Sequence, residues 1–141
     1  MSKKVIIYRG VPGSGKSTHQ RKNYPDAVVC SADDYFEELA VKNNTSYREE
    51  FDFKLLKSAH IDCQAKFVFA LRLMGADTIV VDNTNVELED FKVYKLLAEL
   101  EHYEVEIITM PMTEPAFVYA KRNTHGVPEN SIQRMLDNFE E

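Results

Sequence analysis

Eight consecutive residues, Gly10-Val11-Pro12-Gly13-Ser14-Gly15-Lys16-Ser17, restrict the fold of this chain more than any other segment. They satisfy the pattern G-x-x-x-x-G-K-[ST], which has physical meaning only between a strand and a helix. Gly13 and Gly15 permit backbone angles that turn successive N–H groups inward, and the following helix adds the positive end of its dipole. The context is right. Lys3 to Arg9 is apolar and β-branched at its centre and reads as a strand, and about Lys16 to Asn23 reads as a helix. Such a P-loop cradles a polyphosphate. Gly13, Ser14, Gly15, Lys16, Ser17 and Thr18 are therefore the candidate ATP contacts, with Lys16 on the β- and γ-phosphates and the Ser17 hydroxyl on Mg2+.

The rest of the chain continues the alternation. Ala27 to Cys30, Thr78 to Val81 and Val105 to Met110 read as further strands. Helical patterns are expected from Asp33 through about Ala40, from about Tyr47 to Met74 with a stop at Gly75, from Asp90 to His102, from about Thr113 to Arg122, and after Pro128. Strands separated by helices imply a parallel sheet covered on both faces. The expected fold class is α/β: a three-layer αβα P-loop NTPase fold with a sheet of about four strands, plus a lid, in a single domain over 1–141. Ligands of such sheets bind at the carboxyl ends of the strands. Three clusters converge there: Gly10 to Ser17, Ser31 to Asp34, and Asp82 to Asn85.

Each acidic cluster has a chemical use. Asp33 follows the second strand and can accept the proton of an acceptor hydroxyl aligned for in-line attack on the γ-phosphate. Asp34 is then a helix cap or a substrate-side support. Asp82 ends the most apolar strand, where a carboxylate commonly holds Mg2+ with the P-loop hydroxyl. Asn85 is a candidate substrate contact, against the alternative of an Asx-turn.

Lys121-Arg122-Asn123-Thr124-His125-Gly126-Val127-Pro128 joins two late helices and reads as a lid. Arg122 is positioned to hold ATP phosphates or the transferring phosphoryl group. His125 is read as structural or substrate-contacting, His60 as a solvated or core-edge residue, and Arg134 as either a surface ion-pair residue or a nucleotide contact. The aromatics Tyr47, Phe51, Phe53, Phe67 and Phe69 are read as core packing. Cys30 and Cys63 are read as buried free thiols, since no Cys/His spacing suggests zinc. The net charge of −6 argues against a protein that coats long nucleic acid, but leaves room for a local phosphate pocket. No apolar run approaches the ~18 residues of a membrane span, and a cytoplasmic setting is expected.

Together, Gly10 to Thr18, Ser31-Ala32-Asp33-Asp34-Tyr35-Phe36, Asp82-Asn83-Thr84-Asn85, Lys121-Arg122-Asn123 and His125-Gly126-Val127-Pro128 resemble the P-loop kinase domain of the phage polynucleotide kinase family. The set is also similar to the kinase-like domain of Nedd4-binding-protein-related ATPases and, more distantly, to zeta toxins. The resemblance implies Asp33 as general base for a 5′-hydroxyl, Lys16 and Arg122 as phosphate clamps, and Asp82 as a substrate- or magnesium-site residue. Two departures concern the acceptor: Phe36 stands where the phage pattern has an arginine, and the lid is shorter and less basic. The expected activity is ATP-dependent phosphotransfer, with a polynucleotide 5′-hydroxyl as first acceptor. A small-molecule kinase and a non-catalytic nucleotide-binding module are the alternatives. Oligomeric state is left open.

Overall fold

The run Val5–Tyr8 is completely buried because it forms the centre of the sheet. In the computed structural model, which describes residues 2–141, β1 (Lys4–Arg9) lies between β3 (Thr78–Asp82) and β4 (Glu104–Thr109), and β2 (Val28–Cys30) pairs with the outer side of β3. The order is β2-β3-β1-β4 and every pairing is parallel, with Lys4 opposite both Thr78 and Glu104. Met1, the first residue of the expected 1–141 domain, lies outside the described residues.

Parallel neighbours require crossovers, and the helices supply them. They are α1 (Lys16–Asn23), α2 (Asp33–Asn43), α3 (Tyr47–Glu50), α4 (Leu56–Val68), α5 (Leu88–Leu100), α6 (Ala116–Arg122) and α7 (Glu129–Asn138). Side chains alternate across the strands, so the sheet buries two faces. Val5, Ile7, Ile79 and Val81 pack with Phe36, Cys63, Phe67, Phe91 and Tyr94 from α2, α4 and α5. Ile6, Tyr8 and Val80 face the other way, toward Tyr24, Val29 and Met110. A third cluster, Val11, Ala116, Tyr119 and Ile132, fixes α6 and α7 against the P-loop. Each fully buried aliphatic contributes about 1.5–3 kcal/mol. The four-stranded α/β architecture is the expected one.

The long helix expected from Tyr47 to Met74 is instead broken. Phe51 is extended (φ −63°, ψ 127°), and Asp52 caps a 3₁₀ turn at Phe53–Leu55 by accepting the Lys54 N–H at 2.9 Å. Beyond α4 the chain widens into a π turn at Phe69–Met74, closed by Gly75 at φ 57°. The aromatic reading changes with it. Phe67 is buried, but Phe53 and Phe69 are 75% and 54% exposed and are not core residues. The helix expected from Thr113 starts at Ala116, because Pro115 at its N-cap is extended (ψ 155°).

Candidate functional site

The P-loop is tied down before any ligand is considered. The Gly10 N–H donates to the Thr84 carbonyl at 3.0 Å, joining the ends of β1 and β3. Gly13 and Gly15 have φ of 83° and 95°, the left-handed region that side chains rarely adopt. Gly15 is the N-cap of α1, so the helix starts at Lys16 with its free N–H groups at the loop. The Lys16 ammonium donates to the Gly10 and Val11 carbonyls at 2.7 and 3.2 Å. Burial lowers its pKa, while the charges of Asp82 and Asp33 push it back up. One lysine therefore senses both carboxylates, as convergence at the strand ends requires.

The Ser17 hydroxyl donates to Asp82 Oδ2 at 3.0 Å. Burial raises the Asp82 carboxyl, against the opposing effects of Lys16 and this hydrogen bond. A hydroxyl and a carboxylate side by side are hard oxygen donors. They suit Mg2+, which usually takes one or two protein oxygens and completes its shell with phosphates and water. No group of three or more His, Cys, Asp or Glu that could hold a metal occurs among the described residues.

Asp33 and Asp34 open α2 and diverge, because successive helical residues point about 100° apart. Asp33 is half exposed, near Lys16 and the lid. Asp34 sits toward Lys66 of α4 and Glu38; burial raises its pKa and Lys66 lowers it. Lys66 is thus the compensating charge for Asp34. Asn85, expected as a substrate contact, is turned inward. It is 3% exposed, has φ 46°, and its amide donates to the Tyr8 carbonyl at 2.8 Å, so it pins the loop rather than reaching outward. Buried Asn83 accepts the Ala32 N–H at 2.8 Å and so ties β3 to the start of α2, just before Asp33.

Arg122 ends α6, exposed and without a hydrogen bond or ion pair among the described residues. The end of α6 abuts the P-loop so closely that a Cβ on Gly13 would lie 2.3 Å from the Tyr119 carbonyl oxygen. The lid loop is closed by Asn123, whose amide donates to Ala120 and Val127 carbonyls and whose oxygen accepts the Val127 N–H. Gly126, at φ 72°, carries the chain over Arg48. His60 and Arg134 are exposed on α4 and α7.

Two contacts made by residues outside the expected site set join distant parts of the chain. Tyr47 donates its hydroxyl to Asp33 Oδ1 at 2.6 Å. Arg9 is 3% exposed, lies over the Phe91 and Phe139 rings, and donates to the Asn85, Val86 and Glu140 carbonyls. A signal for the first existed. Ser46-x-x-Glu49 is a capping pattern that starts a helix at Tyr47, and the Ser46 side chain does accept the Glu49 N–H.

The parallel sheet, the glycine cradle with Lys16 and Ser17, and the carboxylates at the strand ends define a P-loop domain of kinase-like fold. The chain belongs to the AAA domain family, whose profile matches residues 5–141. It is similar to human NEDD4-binding protein 2, at 37% identity over 145 residues. That alignment covers 96% of this chain and only 8% of the relative's length. Among solved structures it resembles a protein of Chloroflexus aurantiacus described as a candidate kinase (TM-score 0.64, 14% identity, 99% of this chain and 80% of that one). It also resembles a gluconokinase from Sinorhizobium meliloti (TM-score 0.56, 16% identity, 98% and 75%). At these identities the structural likeness concerns the fold. No described helix is long and apolar enough to cross a membrane.

Proposed function

We propose that this domain is an ATP-dependent phosphotransferase that moves the γ-phosphate of ATP to an acceptor hydroxyl. The observation that supports the reading is that Lys16, held at the P-loop carbonyls, feels the charges of both Asp82 and Asp33, so the two strand-end carboxylates share one lysine. Gly13 to Thr18 hold the phosphates, and Lys16 and Arg122 offset the charge on the transferring group. Mg2+ at Ser17 and Asp82 would neutralise charge on the β- and γ-phosphate oxygens. Asp33 orients the acceptor hydroxyl and takes its proton as the new O–P bond forms.

A polynucleotide 5′-hydroxyl is the acceptor we place first. The ordered resemblance of the motifs supports it, together with the exposed cations Arg48 and Arg122 beside the site. A small-molecule acceptor is the second reading, favoured by Phe36. That residue is 1% exposed in the core and offers no charge to a nucleic-acid phosphate, while Glu37 lines the same rim. The test is transfer from labelled ATP to a panel of 5′-hydroxyl oligonucleotides, nucleosides and sugars, with Asp33→Asn and Asp34→Asn compared. Asp33→Asn is expected to keep ATP binding and lose ~10²-fold or more in transfer. Asp34→Asn should hurt far less. Equal transfer by Asp33→Asn and wild type would remove the acceptor chemistry and leave a nucleotide-binding module.

A further inference from the structure

Asp33 is built into an aromatic stack. The Tyr47 and His125 rings lie 4.0 Å apart at 23°, and Phe51 stacks on Tyr47 at 5.9 Å and 22°. Phe51 in turn packs on buried Phe36 of α2, which anchors the stack in the core. The Tyr47 hydroxyl reaches Asp33 Oδ1 at 2.6 Å. His125 comes from the lid loop, with Nε2 3.0 Å from Glu37 Oε1 and Nδ1 3.5 Å from Asp33 Oδ2.

Hydrogen-bond chemistry fixes the directions. A carboxylate only accepts, so the Tyr47 O–H donates to Asp33 and the His125 Nε2–H donates to Glu37. Burial first, then the hydrogen bond and charge of Asp33, push the Tyr47 phenol up, so it remains a donor. With one acceptor site of Oδ1 taken by Tyr47, Oδ2 is the less engaged oxygen for an incoming hydroxyl. A neutral imidazole protonated at Nε2 has a lone pair on Nδ1. In the neutral ring Nδ1 and Oδ2 are two acceptors 3.5 Å apart with no proton between them, an arrangement that a donor hydroxyl completes; in the charged ring Nδ1–H faces Oδ2 as an ion pair, and either form holds the lid residue against the base.

We propose that Tyr47 and His125 are positioning residues for the acceptor step: Tyr47 holds Oδ1 of Asp33, and His125 brings Nδ1 beside Oδ2, so the base is set for a hydroxyl when the lid lies on α2 and α3. The inference rests on the phosphotransferase reading. Tyr47→Phe keeps the ring stack and removes only the hydroxyl. It is expected to lower kcat for transfer about 10- to 100-fold, the scale of a lost hydrogen bond to a charged group, with ATP affinity and Tm unchanged. His125→Ala is expected to lower kcat with ATP affinity unchanged, and the double variant to lose less than the product of the two. A merely structural role would instead move Tm and ATP affinity. Wild-type kcat in Tyr47→Phe overturns the inference. If that variant has a depressed Tm, His125→Ala decides, since it alters a partly exposed lid side chain; wild-type kcat there overturns the inference equally. Absence of transfer by the wild-type protein to every acceptor defeats the phosphotransferase reading, and this inference with it. Transfer by wild type at rates matched by both variants defeats the inference alone.

Discussion

Gly13→Ala and Gly15→Ala form a matched pair whose difference measures how tightly the lid helix is coupled to the P-loop. Both glycines have positive φ, so both alanines suffer the left-handed penalty of roughly 1–2 kcal/mol. At Gly15 the new methyl meets only the Met110 Cε, at 3.6 Å, which is ordinary contact. At Gly13 it meets the Tyr119 carbonyl oxygen at 2.3 Å, with Asn123 N at 3.2 Å. These are backbone atoms that no side-chain rotation can move, so either the loop or the end of α6 must shift. A forced shift in a packed region costs about 1–3 kcal/mol. Gly13→Ala should therefore lose about 2–5 kcal/mol in total, and Gly15→Ala about 1–2. Urea unfolding of both variants at one pH gives the two numbers. Hydrogen exchange at residues 116–123 then reports whether α6 has lifted, and it should accelerate only in Gly13→Ala. Equal destabilisation, with α6 equally protected in both, would refute the coupling.

Three further outcomes are expected. Lys16→Ala should abolish ATP binding and transfer with a stability change within about 1 kcal/mol, because its ammonium supports only two loop carbonyls; binding calorimetry and a thermal melt check both halves, and wild-type ATP affinity would refute the phosphate cradle. Residues 123–127 should gain hydrogen-exchange protection on adding ATP and Mg2+, since this short loop carries Gly126 and follows Arg122; identical exchange with and without nucleotide counts against a lid. Stability should fall as pH rises from about 9 to 12. Burial is the main force that pushes both the Cys30 thiol and the Tyr8 phenol up to about 12. The unfolded chain loses these protons first, so the native state is favoured below the ordinary values and loses that advantage above them. A Tm independent of pH across this range would refute it.

The P-loop side of the candidate site is legible in the sequence because its pieces are local. A contiguous loop carries Gly13 to Ser17, and Asp33 and Asp82 each follow an apolar strand, so topology alone brings them together. The surroundings of Asp33 are not local. Tyr47 meets Asp33 only because the chain turns after α2 and again at Phe51, inside a stretch whose periodicity suggests one continuous helix. His125 joins them from the far end of the chain. Asn85 misleads for a related reason: a polar side chain at a strand end can face the ligand or its own backbone, and the left-handed angle that selects the second is invisible in the residue type. The exposure of Phe53 and Phe69 follows from the 3₁₀ and π turns, which rotate those positions off the helical stripe.

The central place of β1 bears on how the polypeptide is made. The strand is made before either of its partners, since its two hydrogen-bonding edges are satisfied only by β3 and β4, which follow it in the chain. Parallel pairing offers it no nearby hairpin partner in the meantime. A fully apolar segment, Val5 to Ile7, must therefore wait with both edges open while most of the domain is translated. Sheets assembled from such distant pairings form slowly and expose adhesive edges during synthesis. The central strand is thus the part of this sheet with the longest opportunity to mispair before its own neighbours exist.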